Sequence, residues 1–133
     1  MFTIDIEKET LINTDYRRVI YTDKYQQLVL MSIPVGEDIP LEVHPHVSQF
    51  LRIEAGQGVV KSGKNKNHLK QVKVKDGSSV NIPNGLYHHV LNTGQEPLKL
   101  YSIYSPPEHP KETVQKMKPK KSANEILYLL LQF

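Results

Sequence analysis

The chain has 133 residues, which suits one domain with a hydrophobic core and excludes two domains of ordinary size. An apolar fraction of 38% with 23% charged residues excludes wholesale disorder, and a dispersed net charge of +3 leads us to expect no nucleic-acid partner. The absence of cysteine excludes disulfides and thiolate metal sites, so any metal must bind to nitrogen and oxygen atoms.

The N-terminal segment "MFTIDIEKETLIN" does not resemble a secretion signal. It carries acidic residues where such a signal needs a basic start followed by an apolar run. The longest apolar run of the chain, "ILYLLL", is too short to span a bilayer. We therefore expect a cytoplasmic protein with no membrane partner.

Short strands separated by turns follow along most of the chain. Each is rich in β-branched and aromatic residues and ends at a Gly, Pro or polar break. The predicted strand segments are "YRRVIYT", "QQLVLMSIPV", "FLRIEAG", "GVVKSGKNKNHLKQVKVKDG", "SVNIPNGLYHHVLNTG" and "EPLKLYSIYSPP". Such spacing is typical of an all-β sandwich or barrel. The lysines between positions 61 and 75 indicate a solvated hairpin face.

The C-terminal tail differs from the rest of the chain. Ser122 and Glu125 have the spacing of a capping box before an apolar run, which predicts a short helix. We therefore divide the chain into a β-barrel domain over residues 1–115 and a tail, helical at its end, over residues 116–133. The end of the tail, "EILYLLLQF", is apolar almost all round, so we expect it to pack on its own barrel or on a second subunit.

The first candidate site lies in "LEVHPHVSQFLRIEAGQG", residues 41–58. If this segment is an extended strand, Glu42, His44 and His46 point to the same face. Burying such groups without partners costs about 1–3 kcal/mol each, and a bound metal would remove much of that cost for the histidines. An exposed strand with a polar outer face is the alternative, because short His motifs also arise by chance.

The second candidate site lies in "GSSVNIPNGLYHHVLN", residues 77–92. Pro83 and Gly85 predict a tight turn, and His88 stands just past it, where its side chain can meet a neighbouring strand. His89 must point the opposite way. His88 alone would be read as an ordinary core or surface histidine, but two such segments in one β-rich chain favour a shared site.

Together the two segments resemble the two conserved motifs of the cupin superfamily, whose members are small jelly-roll β-barrels. The second motif, G(x)5PxG(x)2H(x)3N, is matched at every fixed position by residues 77–92. In the first motif, G(x)5HxH(x)3–4E(x)6G, the two histidines and Gly56 match. Seven residues separate Gly36 from His44 instead of five, and Gln49 replaces the glutamate, with only two residues between it and His46. The "QF" dipeptide also resembles small cupins of the mannose-6-phosphate isomerase-like type.

The resemblance implies a mononuclear metal site made of His44, His46, Gln49 and His88. Three imidazoles suit one divalent ion of Zn, Mn, Fe, Co, Ni or Cu, and an amide oxygen is a weak fourth ligand. An amide in place of a carboxylate leaves the site more positive, so the metal would be a stronger Lewis acid but held less tightly. Gln49 either ligates the metal or orients a water or histidine beside it.

Two further residues are candidates for catalysis. Glu42 would act as a general base or fix the tautomer of a ligand histidine, or it would be a rim carboxylate in water. Tyr101 and Tyr104 lie on opposite faces of one predicted strand, so one of them should line the pocket, and we select Tyr101. The Pro-rich loop at 106–109 is expected to edge the barrel mouth, with His109 at the surface.

These features predict a metal-dependent enzyme that acts on a small oxygenated molecule. The resemblance favours a sugar or sugar-phosphate isomerase-like activity. A metal-dependent dioxygenase and a non-catalytic small-molecule binding protein are the alternatives. Because cupins are often dimers, we also expect a homodimer.

Overall fold

A computed structural model describes residues 1–120 of the chain. It contains one short helix, α1, followed by ten strands. Their bounds are α1 Ile6–Ile12, β1 Arg17–Thr22, β2 Gln27–Ile33, β3 Asp38–Glu42, β4 Ser48–Ala55, β5 Gln57–Asn65, β6 His68–Lys75, β7 Ser79–Ile82, β8 Tyr87–Asn92, β9 Leu98–Ser105 and β10 Val114–Gln115.

The strands form two antiparallel sheets with a shared hydrophobic core. The six-stranded sheet has the order β10-β1-β2-β9-β4-β7, and the four-stranded sheet has the order β3-β8-β5-β6. Core side chains come from alternate positions of both sheets, for example Val29, Met31 and Leu100 from the first and Val60 and Val90 from the second. The prediction of an all-β jelly-roll barrel is confirmed.

The turn predicted between Pro83 and the next strand forms as expected. Gly85 has φ 83°, a conformation that L side chains rarely adopt, and the amide of Leu86 donates to the carbonyl of Pro83. Asn92, at the other end of β8, is buried, and its side-chain amide donates to the carbonyls of Ile33 and Glu96. The turn and the buried amide thus hold β8 at both ends.

Helix α1 was not predicted from the sequence. Asp5 caps it by accepting a hydrogen bond from the amide of Lys8, and Thr10 is its buried residue. The helix has seven residues, too few for an amphipathic period to stand out. Within residues 1–120, no helix is long and apolar enough to cross a membrane. The C-terminal helix predicted from Ser122 and Glu125 lies outside the described residues.

Candidate metal centre

Strands β3 and β8 are hydrogen-bonded neighbours, and their pairing places Glu42 directly opposite His88. The Oε1 atom of Glu42 lies 3.1 Å from Nε2 of His88 and 3.2 Å from Nε2 of His44. The two imidazole rings are tilted at 48°, with centroids 5.2 Å apart. One ligand atom from each of the three residues lies within 4.8 Å of the others. Of the predicted residues, the structure brings Glu42, His44 and His88 together.

The outer nitrogen of each imidazole also has a partner. Nδ1 of His88 lies 3.1 Å from the carbonyl of Leu86, so the Nδ1–H donates there and Nε2 is directed to the cluster. Nδ1 of His44 lies 3.2 Å from Oε1 of Glu108. Both histidines are buried, with 1% of His88 and 8% of His44 exposed. Their rings are therefore held with Nε2 available to a shared ligand.

The charges of the cluster stabilise one another. Burial by itself would raise the pKa of Glu42, but the interactions with His44 and His88 lower it to about 2. Glu42 in turn raises the pKa of His44 above its usual value, and Glu108 adds to this effect against the opposing effect of burial. Glu42 is therefore a carboxylate at neutral pH, as a metal ligand must be.

Two buried atoms near the cluster lack a hydrogen-bond partner. Nε2 of His44 is close to Glu42 but is not aligned for a hydrogen bond, and Oε1 of Gln49 has no partner either. An orphaned buried acceptor is costly, and a metal ion is one way to satisfy it. Two imidazoles and a carboxylate suit the first-row divalent ions predicted from the sequence. These residues therefore fit a divalent metal.

Gln49 is held in one orientation by the strand next to its own. It lies on the inner face of β4 with 3% of its surface exposed, and its Nε2 donates to Oγ of Ser102 at 3.2 Å and to Oη of Tyr104 at 3.1 Å. The ring of Tyr104 meets the ring of His44 edge-on, with centroids 6.0 Å apart. A ligand role for Gln49 stays a prediction, supported by the unpartnered oxygen.

His46 lies away from the cluster. The expected extended strand ends at Glu42, and a turn at Pro45 and His46 precedes β4. This turn is tied to the turn before β8, because the amide of Gly85 donates to the carbonyl of His44 and the side chain of Asn84 donates to the carbonyl of Pro45. The alternation that would align His46 with His44 is thereby lost, and His46 is exposed.

Tyr104, and not Tyr101, is the tyrosine next to the cluster. The buried positions of β9 are Leu98, Leu100, Ser102 and Tyr104, which puts Tyr101 on the outer face, where its ring approaches that of Phe50. Burial raises the pKa of Tyr104 well above its usual value. The prediction that Tyr101 lines the pocket is therefore wrong, and Tyr104 takes that place, because the strand register decides which of the two side chains faces inward.

The Pro-rich loop reaches further inward than expected. The buried side chain of Gln27 donates to the carbonyl of His109 and accepts from the amides of Glu108 and His109. This arrangement sets the ring of His109 edge-on to Tyr104, with centroids 5.1 Å apart, and burial and the charge of Arg17 lower the pKa of His109 to about 4. The sequence signal for this contact is the polar Gln27 at the start of the largely apolar strand β2.

Comparison with known proteins supports this description. The Cupin domain family model matches residues 29–104, more than half of the chain. YrkC of Bacillus subtilis (strain 168) is 52% identical over 118 residues, which cover 88% of this chain and 63% of YrkC. L612 of Acanthamoeba polyphaga mimivirus is 42% identical over 121 residues, which cover 90% of this chain and 74% of L612.

One solved structure has a similar fold and a similar sequence. BH2720 from Bacillus halodurans superposes with a TM-score of 0.86 at 51% identity, over 86% of this chain and 88% of that one. The chain spans less than two thirds of the length of YrkC but most of BH2720. With the motifs, the barrel and the His/Glu cluster in place, the chain belongs to the cupin domain family.

Proposed function

We propose that this cupin binds one divalent metal ion through Glu42, His44 and His88 and acts as an enzyme on a small oxygenated molecule. The observation that carries the proposal is the position of Glu42 Oε1, 3.1 and 3.2 Å from two buried imidazole nitrogens. The unpartnered Nε2 of His44 and Oε1 of Gln49 support it, since both are atoms that a metal or its bound water would satisfy.

A bound divalent ion supplies Lewis-acid chemistry at a carbonyl or hydroxyl oxygen. The chain supplies the orientation: the carbonyl of Leu86 fixes the ring of His88, and Glu108 lies against the outer nitrogen of His44. Because Glu42 is one of the proposed metal ligands, it is not a free base. We assign proton transfer instead to the Glu108 carboxylate, whose side chain is 32% exposed and open to a substrate.

These residues support an isomerase-like reaction on a sugar or related compound as the first candidate, in which Glu108 moves a proton between neighbouring carbons. A dioxygenase is the second candidate, favoured by one specific observation. Two histidines with one carboxylate are the ligand set typical of non-haem iron oxygenases. Oxygen consumption with an iron-loaded sample and a panel of phenols and diketones separates the two reactions.

Metal analysis tests the proposal directly. Protein purified without chelator should contain about one equivalent of a first-row divalent metal, or regain it on titration after dialysis against EDTA. His88→Ala should lose this binding, whereas His89→Ala should keep it, because His89 lies on the other face of β8 and pairs with Asp38. Circular dichroism melts confirm that both variants fold. Folded wild-type protein that takes up no metal would refute the proposal.

A non-catalytic binding protein is the remaining alternative, and it is supported if metal binds but no turnover is found while a ligand copurifies. The homodimer and the cytoplasmic location stay predictions. Size-exclusion chromatography with light scattering tests whether the protein is a homodimer. Expression of residues 1–115 alone tests the predicted division into a domain of residues 1–115 and a tail of residues 116–133.

A further inference from the structure

Strand β2 begins with a glutamine that is completely buried. Gln27 has 0% of its surface exposed, and it pairs with Tyr104 of β9, so that both side chains face the interior. The other inward positions of β2 are apolar core residues, namely Val29, Met31 and Ile33. An amide buried without hydrogen bonds destabilises a protein. A glutamine at this position therefore calls for polar partners inside the barrel.

Every hydrogen-bonding position of the Gln27 amide is used. Its Nε2 donates to the carbonyl of His109 at 2.7 Å and to Oγ1 of Thr22 at 3.1 Å. Its Oε1 accepts from the amide of Glu108 at 3.3 Å and from the amide of His109 at 3.0 Å. A glutamine side chain offers two donor hydrogens and two acceptor lone pairs. Most of this capacity is directed to the backbone of two neighbouring loop residues, which Gln27 thereby holds in place.

The loop that contains Glu108 has no strand pairing of its own. Glu108 and His109 lie between the end of β9 at Ser105 and the start of β10 at Val114. The side chain of Glu108 is 32% exposed, and a contact between an exposed carboxylate and a histidine stabilises too little to order a loop by itself. The anchor of Glu108 is therefore the amide of Gln27, and not the contact that its own carboxylate makes.

The Glu108 carboxylate contacts one of the proposed metal ligands. Its Oε1 lies 3.2 Å from Nδ1 of His44, and Nε2 of the same ring lies 3.2 Å from Oε1 of Glu42. A carboxylate at Nδ1 keeps the imidazole proton on that nitrogen, so that Nε2 has a free lone pair for a metal. Nε2 of His44 is buried and has no hydrogen-bond partner. A continuous series of contacts thus runs from Gln27 through Glu108 to a ligand atom.

We propose that Gln27 is a positioning residue of the metal centre: it holds the Glu108 carboxylate on Nδ1 of His44 and thereby raises the affinity of Nε2 for a divalent ion. The proposal rests on the proposed function and deepens it, because it names what controls metal binding at that site. Gln27 and Glu108 both lie outside residues 29–104, which match the Cupin domain family model. The positioning device is therefore built from the two flanks of the matched segment.

A double-mutant cycle tests whether Gln27 acts through Glu108. Gln27→Met removes the hydrogen bonds of the amide at nearly constant side-chain volume, and Glu108→Gln removes the charge beside His44. Each single variant should raise the dissociation constant of Zn²⁺ about ten- to hundredfold, the usual effect of losing a partner behind a metal ligand. In the Glu108→Gln background, Gln27→Met should change it less than about threefold, because the two residues act in series. Competition with a chromophoric chelator measures all four proteins.

Thermal melts separate positioning from a purely structural role. Gln27→Met should lower the melting temperature by the same amount in both backgrounds, because its hydrogen bonds go to the loop backbone and not to the Glu108 side chain. Stability losses should thus add, whereas affinity losses should not. Gln26→Met, at the exposed position just before, is the matched control and should bind Zn²⁺ as wild type does. Affinity losses that add would make Gln27 a structural residue only and overturn the proposal.

A nuclear magnetic resonance signal reports the same contact in the metal-free protein. In ¹⁵N-labelled wild type, the Nδ1 proton of His44 should give a slowly exchanging imidazole signal, because the ring is buried and Nδ1 lies against Glu108. The loss of this signal in His44→Ala assigns it. Gln27→Met and Glu108→Gln should lose or shift it, and Gln26→Met should keep it. An unchanged signal in Gln27→Met would contradict the proposed role of Gln27.

A second variant and the metal-free measurement cover the remaining outcomes. If Gln27→Met does not fold, Gln27→Glu replaces it, since its carboxyl oxygen still accepts from the amides of Glu108 and His109 and should keep the His44 signal. Loss of the signal in folded Gln27→Glu would overturn the proposal. If wild type binds no Zn²⁺, the proposed function fails, and the imidazole signal still decides whether Gln27 places Glu108 on His44. If Zn²⁺ binds and the affinity losses add, only the role of Gln27 fails.

Discussion

Strand β8 and the segment 43–47 each carry a pair of histidines, and the two pairs behave differently. In β8, burial alternates strictly, so His88 is buried in the cluster and His89 faces outward to Asp38. In the segment 43–47, the histidines are two residues apart and were expected to share a face, yet only His44 is buried.

The difference follows from hydrogen bonding along the chain. β8 pairs with β3 on one side and β5 on the other, and a ladder on both sides fixes which side chains face inward. The segment 43–47 belongs to no ladder and is held by two hydrogen bonds to the turn that contains Asn84 and Gly85. The alternation of inward and outward side chains therefore predicts burial within a paired strand but not in a turn.

The largest expected effect separates His44 from His46. His44→Ala removes one of the three proposed ligands, so the dissociation constant of the divalent metal should rise by about a hundredfold or more. His46→Ala should change it less than about threefold, because His46 is exposed and outside the cluster. Competition with a chromophoric chelator measures both constants. Equal losses in the two variants would mean that the segment 43–47 rearranges around the metal.

The next expected effect concerns the pH dependence of stability in the metal-free protein. The pKa of Glu42 falls from 4.5 to about 2 on folding. Its contribution to the stability of the fold is therefore complete above pH 4.5 and is lost as the pH falls towards 2. The pKa of His44 rises above 6.5, so its contribution is present below pH 6.5 and is lost as the pH rises through the raised value. Together they should stabilise the fold most between pH 4.5 and 6.5.

Thermal melts in EDTA from pH 3 to pH 9 measure this profile. Glu42→Gln should flatten it and weaken metal binding, whereas Glu96→Gln, an exposed control, should leave the wild-type profile unchanged. A Glu42→Gln profile identical to that of wild type would show that the carboxylate does not engage the two imidazoles.

A smaller effect is expected at the turn that holds the segment 43–47. Gly85→Ala adds a methyl group that meets no other atom, so its cost comes from the backbone conformation at φ 83° alone. We expect a loss of about 1–3 kcal/mol in the free energy of unfolding. Metal affinity should also fall, because relief of the strained φ at residue 85 moves its amide, which donates to the carbonyl of His44. Gly36→Ala, with φ 80° and equally open surroundings, is the matched control and should lose stability but not affinity.

The smallest effect compares the two tyrosines of β9. Tyr104→Phe removes the hydroxyl that accepts from Gln49, which should cost about 0.5–1.5 kcal/mol of stability and change metal affinity slightly. Tyr101→Phe should stay within about 0.5 kcal/mol of wild type, because Tyr101 lies on the outer face. Urea unfolding measures both. A greater loss at Tyr101 would contradict the assigned register.

Much of the fold could be predicted because its signals are local. The strands follow from β-branched runs bounded by turn residues, and the Pro83–Gly85 turn follows from the conformations that these residues allow. The placement of His88 beyond that turn also rested on local spacing together with the family resemblance, and the structure buries it in the cluster.

The composition of the site depended on contacts between distant parts of the chain. Glu42 joins the His/Glu cluster through its pairing with His88, and Glu108 reaches His44 through a loop that Gln27 holds. No local pattern encodes these contacts, since strand register and loop anchoring are set by hydrogen bonds between segments far apart in sequence. Sequence thus determined the family and the strands, whereas tertiary hydrogen bonding decided which polar side chains meet.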